Sequence, residues 1–201
     1  MDVLTAAFGV CSVVLAISGV AKLRSPRPTS RLLADLGLPS GASVVRLIGT
    51  AELAVGVAAL LVGGPVLALV VAVLYGAFAV IVVFARRAGS ESCGCFGATA
   101  APPSAVHVVV NAISAAVALG AAVAGVDSVL DVVGNQPAMG IPYLVAIATA
   151  SLLVVALDTT GAELAQEVAA VRQLAPTFRA NATAAGHVHE AMPANARVPR
   201  P

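Results

Sequence analysis

The chain has 201 residues, of which 59% are hydrophobic and 10% charged, with a net charge of +1 and a mean hydropathy of +0.98. A soluble domain carries about a quarter charged residues, so this is the composition of a membrane protein. With so little net charge and no Trp, it offers nucleic acid neither a basic field nor a stacking platform, and nucleic acid is set aside as a partner.

Five runs are long enough to cross a hydrocarbon core, which takes about 20 apolar helical residues. They cover approximately Val3–Lys22, Val45–Val62, Val66–Phe84, Val106–Val126 and Ala138–Leu157. The first is too long for a signal-peptide core and lacks a basic leader, so it is expected to stay as a membrane helix. Pro142 near the start of the fifth leaves a four-span arrangement as the alternative. The fold expected is all-α: a polytopic bundle of five, or four, transmembrane helices over residues 1–157. A cytoplasmic amphipathic helix (158–175) and a disordered tail (176–201) follow.

Between the first two spans, the Pro26/Pro28 segment ends one helix and Arg31–Leu36 can start a short one. Leu32, Leu33 and Leu36 share a face, which suits the membrane interface. Gly63-Gly64-Pro65 is a tight turn that makes the second and third spans an antiparallel hairpin. The basic residues fall after span one, before span two, after span three and after span five. The positive-inside rule then makes those segments cytoplasmic and puts the N-terminus outside, in a multi-pass cell-membrane protein.

Glu52 is the one acid or base that these boundaries place well inside a span, on the order of 9 Å deep by helical rise. An intramembrane carboxylate must be paired, hydrogen-bonded or protonated, and is a functional-site candidate on that ground; a purely structural interhelical hydrogen bond is the alternative. His107 and Asn111, four apart, stack on one face at the start of span four and should face the interior.

Between spans three and four stands Glu91-Ser92-Cys93-Gly94-Cys95-Phe96-Gly97, with two of the three cysteines of the chain. Side chains two apart point to nearly opposite sides of a helix, so the segment must be a turn. Gly94 and Gly97 give it the backbone freedom it needs, and Gly94 lets the two sulfurs approach. A disulfide closing so small a ring would be strained and easily reduced, the kind used in redox chemistry rather than structure; two inert loop thiols are the alternative. Cys93, Cys95 and His107 make at most three ligands, short of a closed metal site, so no metal is expected. Cys11, roughly 15 Å away in depth by helical rise, suits a small buried packing role. Under the orientation above, Glu52, His107, Asn111 and the thiol turn all fall at one depth, which points to one polar pocket.

After span five, Thr160-Gly161-Ala162-Glu163 has the form of a capping box, and Leu164, Val168, Val171 and Ala175 recur on one helical face. The Ala, Pro, Asn and Arg content from Pro176 onward can bury almost nothing, so disorder is expected there.

The Cys93-Gly94-Cys95-Phe96-Gly97 turn, the Ala21-Lys22-Leu23 exit from span one, Glu52 and the His107/Asn111 opening of span four together resemble the MauE family. That is a DoxX-related group of membrane proteins named for methylamine utilisation, and the resemblance covers about residues 1–126. It implies a four- or five-helix bundle that works with a thioredoxin-like protein to mature a disulfide-rich enzyme subunit. Cys93 and Cys95 would be its redox pair and Glu52 its polar core acid.

The expected function is therefore a membrane thiol–disulfide redox or maturation factor, with proton handling by Glu52 or His107 and a thioredoxin-like protein or maturing enzyme subunit as partner. Membrane lipid surrounds it. No cofactor motif is evident, and a hydrophobic quinone would suit such a bundle as electron acceptor, although no residue demands one. A non-enzymatic assembly scaffold and, less favoured, a small proton-coupled transporter are the alternatives.

Overall fold

The computed structural model describes residues 3–90, 103–135, 138–161, 164, 168 and 171. Among these there is no strand, and the chain divides into a unit of residues 1–163 and a second of 164–201. The first unit is built on α1 (Val3–Arg24), α3 (Ala42–Val62), α4 (Pro65–Ala88), α5 (Ala105–Ala124) and α7 (Ala138–Gly161), each long and apolar enough to cross a membrane. Two short helices, α2 (Arg27–Asp35) and α6 (Val129–Asn135), join α1 to α3 and follow α5. In the second unit, the described Leu164, Val168 and Val171 are helical and exposed, at the spacing of one helical face.

The local rules for starting and stopping a helix account for most boundaries. Pro142 lies inside α7 without breaking it, because in the first turns of a helix the missing N–H costs at most the first intrahelical bond. Thr160 also belongs to α7. Its hydroxyl donates to the Ala156 carbonyl at 2.6 Å, so it continues that helix instead of capping a new one. α2 begins at Arg27, earlier than the residues beyond Pro28 suggested, since Pro26 at the N-cap and Pro28 in the first turn need no amide donor and carry a preset φ.

Gly63 and Gly64 hold φ of 66° and 87°, the left-handed region that lets the chain reverse between α3 and α4. The reversal is tied across the bundle by the Gly64 amide, which donates to the Val126 carbonyl at 3.1 Å. Next to it, Ser128 caps α6: its Oγ accepts from the Asp131 amide at 3.0 Å and donates to the Asp131 carboxylate at 2.6 Å.

α1 packs chiefly against α3, and α4 against α5. Phe8, Leu15, Ala59, Val71, Tyr75, Ala118 and Ala121 form the buried core where α1, α3, α4 and α5 meet. Their opposite faces are also apolar. Val62, Val66, Val73, Val123, Ile141 and Leu152 stand exposed, which water would penalise and lipid tails accept.

Candidate functional site

The close packing of α1 on α3 comes from glycine. A Cβ on Gly19 would meet the Gly49 carbonyl oxygen at 2.5 Å, and one on Gly49 would meet the Gly19 carbonyl at 2.9 Å. Such backbone-to-backbone approach is how membrane helices gain packing energy without a hydrophobic drive. Glu52, one turn along from Gly49 and four residues before Gly56, is thereby pressed against α1.

What it meets there are Ser18 and Lys22, four apart on one face of α1. Lys22 Nζ donates to Glu52 Oε2 at 2.8 Å and to Ser18 Oγ at 2.7 Å, and Ser18 Oγ donates to the same carboxylate oxygen at 3.0 Å. Glu52 is 1% exposed and Lys22 4%. The ammonium also lies 5.3 Å from the Phe78 ring centre on α4, within cation–π reach. Glu52 Oε1 is buried and receives no hydrogen bond from the described residues. A buried pair of this kind roughly balances its desolvation cost only while both partners remain.

A cavity of about 70 Å³ adjoins this pair, large enough to hold water. Ser18 and Lys22 of α1, Thr29 of α2, Asn111 of α5 and Asp158 of α7 supply its polar wall, and Leu32, Leu33, Tyr75, Phe78 and Val82 are among its apolar ones. Asn111 is held by a hydrogen bond from its side-chain amide to the His107 carbonyl at 2.7 Å. His107, 1% exposed, stands one turn nearer the helix end. Its Nδ1 accepts the Ser104 amide at 3.2 Å and lies 2.9 Å from the Ser104 hydroxyl, which closes a capping box at the start of α5. An acceptor at Nδ1 leaves the ring proton on Nε2, so this bonding assigns His107 as a neutral imidazole.

Glu52, His107 and Asn111 thus all face the interior. Asn111 shares the cavity with Lys22, the partner of Glu52, and His107 caps α5. Cys93, Gly94, Cys95 and Gly97 lie outside the described residues. The chain that carries them leaves α4 after Ala88 and enters α5 at Ala105. Cys11 is a free thiol, 7% exposed, whose Sγ points at the Ser114 carbonyl 4.0 Å away. It lines a separate opening of about 510 Å³ between α1, α5 and α7, where Cys11 and Ser114 are the polar residues among those described.

Two members of the site were not singled out from the sequence. Lys22 counts there as one more interfacial cation at a helix end, a place where long side chains normally reach for headgroups; the structure turns it inward. Asp158 falls one residue past the apolar run ending at Leu157, yet it is 3% exposed because α7 runs on to Gly161. The helical spacing of Tyr143, Ile147, Ser151 and Asp158, all buried, is the sequence signal that would have found it. Lys22 and Asp158, in the last turns of α1 and α7, thus join Glu52 as buried ionisable groups. In α2, Thr29, Leu32 and Leu33 face the bundle and wall the cavity, while Arg27 and Arg31 stay exposed.

The family model described as methylamine utilisation protein MauE matches residues 2–125, from α1 through α5. No curated protein and no solved structure matches the chain.

Proposed function

Because this chain belongs to the MauE family of membrane proteins, we propose that it is a thiol–disulfide redox or maturation factor acting with a thioredoxin-like protein or a maturing enzyme subunit. The observation that carries the reading is the Cys93-Gly94-Cys95 pair itself: two of only three cysteines in 201 residues, set one glycine apart. The connection bearing them joins α4 to α5, the two helices that bring Phe78 and Asn111 to the charged cavity.

In this reading the thiolate of one cysteine attacks a partner disulfide. The partner's S–S bond breaks, its released sulfur takes a proton, and a mixed disulfide forms. The second cysteine then attacks the mixed disulfide, so the partner gains two electrons and two protons while the pair closes to a disulfide. Glu52 and the polar groups around Lys22 serve as a local proton reserve for that exchange. Arg24, Arg27, Arg31, Arg46, Arg86 and Arg87, all exposed, favour a cytoplasmic side for the ends that carry them.

Gel-shift alkylation of cells expressing the wild type and Cys93→Ser tests the redox step. The wild type is expected to show a reversible shift, with a trapped mixed disulfide when one cysteine is removed. A pair that stays fully reduced and modifiable through the partner's turnover overturns the proposal. If function also survives Cys93→Ser/Cys95→Ser, the protein is instead an assembly scaffold.

A further inference from the structure

α7 touches the bundle on both sides. A Cβ on Gly9 of α1 would meet Ile147 Cδ1 at 2.9 Å, and one on Gly161 would meet Val106 Cγ1 of α5 at 3.8 Å. Beside these contacts runs the opening of about 510 Å³, with residues of its lining from Val3 to Val14 on α1 and from Ala146 to Leu157 on α7. By helical rise each of those stretches is roughly 17 Å long. All three walls are long and apolar enough to cross a membrane, so the groove lies at hydrocarbon depth, and one leaflet of the hydrocarbon core is about 15 Å deep.

Apart from Cys11 and Ser114, the described lining is alanine, valine, isoleucine and leucine, and the Cys11 thiol is turned toward the Ser114 carbonyl. A water molecule needs several polar partners and finds few here. The side chains around the groove gain dispersion energy from any apolar group that enters it. Its shape selects which one. About 510 Å³ spread over roughly 17 Å is a mean cross-section of about 30 Å². A helix about 10–12 Å across would need roughly 80–110 Å², so neither a second copy nor another helix of this chain fits, whereas a single hydrocarbon chain does. Small side chains on facing walls, Ala7 on α1 and Ala150 on α7, make the room.

We propose that this groove binds one acyl chain of a membrane phospholipid, laid lengthwise between α1, α5 and α7. The chain packs α7 to the rest of the bundle along the stretch where protein side chains leave a gap. Two of the three walls belong to the segment matched by the family model, and the third, α7, lies beyond it.

Native mass spectrometry of the full chain, purified from phospholipid membranes and exchanged into mild detergent, tests this. The wild type is expected to retain a phospholipid adduct. Ala150→Phe and Ala7→Phe, which fill the groove from opposite walls, should each lose it, while Val73→Phe on the exposed face of α4 should keep it. Should the filled variants not fold, the wild type decides: after detergent exchange, a phosphatidylcholine with a diazirine in its acyl chain should crosslink to Val10, Ile113 and Ala146 in preference to the exposed Val73 and Val123. Cys93→Ser/Cys95→Ser should leave the adduct in place, which separates this site from the redox reading. No adduct in the wild type, an adduct that survives both filling variants, a retained molecule of isoprenoid rather than phospholipid mass, or crosslinks no denser in the groove than on the exposed faces overturns the proposal.

Discussion

At the scale of single residues, Lys22 and Glu52 illustrate how a costly pair is held in an apolar bundle. The two charges are bonded to each other out of reach of water, so removing one strips the other of a short charge-assisted bond in a buried place. Lys22→Met or Glu52→Ala alone should destabilise the protein by about 3–5 kcal/mol, read as a lowered unfolding midpoint in detergent. The double change Lys22→Met/Glu52→Leu should recover most of that loss, as replacing a whole buried pair by apolar side chains is often near neutral. If the double variant is as unstable as the singles, the pair is not what makes the singles costly. Ser104 is a smaller case. Its hydroxyl and amide both meet His107 at the start of α5, and Ser104→Ala should cost about 1 kcal/mol in the same assay.

Helices bring the residues together, and here the decisive contact is α1 on α3. At Gly19 a β-carbon would sit 2.5 Å from backbone oxygen and 2.6 Å from the Leu53 amide nitrogen, atoms that cannot swing aside as a side chain can. Gly19→Val should therefore force α1 and α3 apart and cost about 1–3 kcal/mol for overpacking, with the Lys22–Glu52 bond weakened as well. Gly76 on α4 is the matched control. A β-carbon there meets nothing within 4 Å, and Gly76→Ala should leave the unfolding midpoint unchanged or raise it, since alanine favours the helix by about 1 kcal/mol. Equal damage at both positions would show that glycine serves flexibility in these helices and not close approach.

For the whole molecule, the described helices gather a polar, charged cavity inside a largely apolar bundle. The proposed redox pair lies in the connection between two of the helices that border it. Labelling intact cells with a membrane-impermeant thiol reagent tests the proposed orientation: Cys93 and Cys95 should be protected in intact cells and react once the membrane is opened. Buried Cys11 should stay unmodified in the folded protein under both conditions. Reaction of the pair in intact cells would reverse the topology.

The number of spans, their boundaries to within a few residues and the Gly63-Gly64 reversal were legible in the chain, because hydropathy and glycine act locally and need no knowledge of neighbours. So was the inward facing of Glu52, His107 and Asn111, since lipid penalises polar groups wherever the helix stands. The partner of Glu52 was not legible. Whether a lysine at a helix end reaches for headgroups or folds back on a carboxylate depends on how near the second helix comes, and that distance is set by Gly19 and Gly49 meeting across the interface. Asp158 was hidden for a related reason: an acid just past an apolar run is ordinary by sequence, and only the continuation of α7 against the other helices encloses it. Pattern along the chain decided which segments enter the membrane, whereas the closeness of backbones in three dimensions decided which charges are left there together.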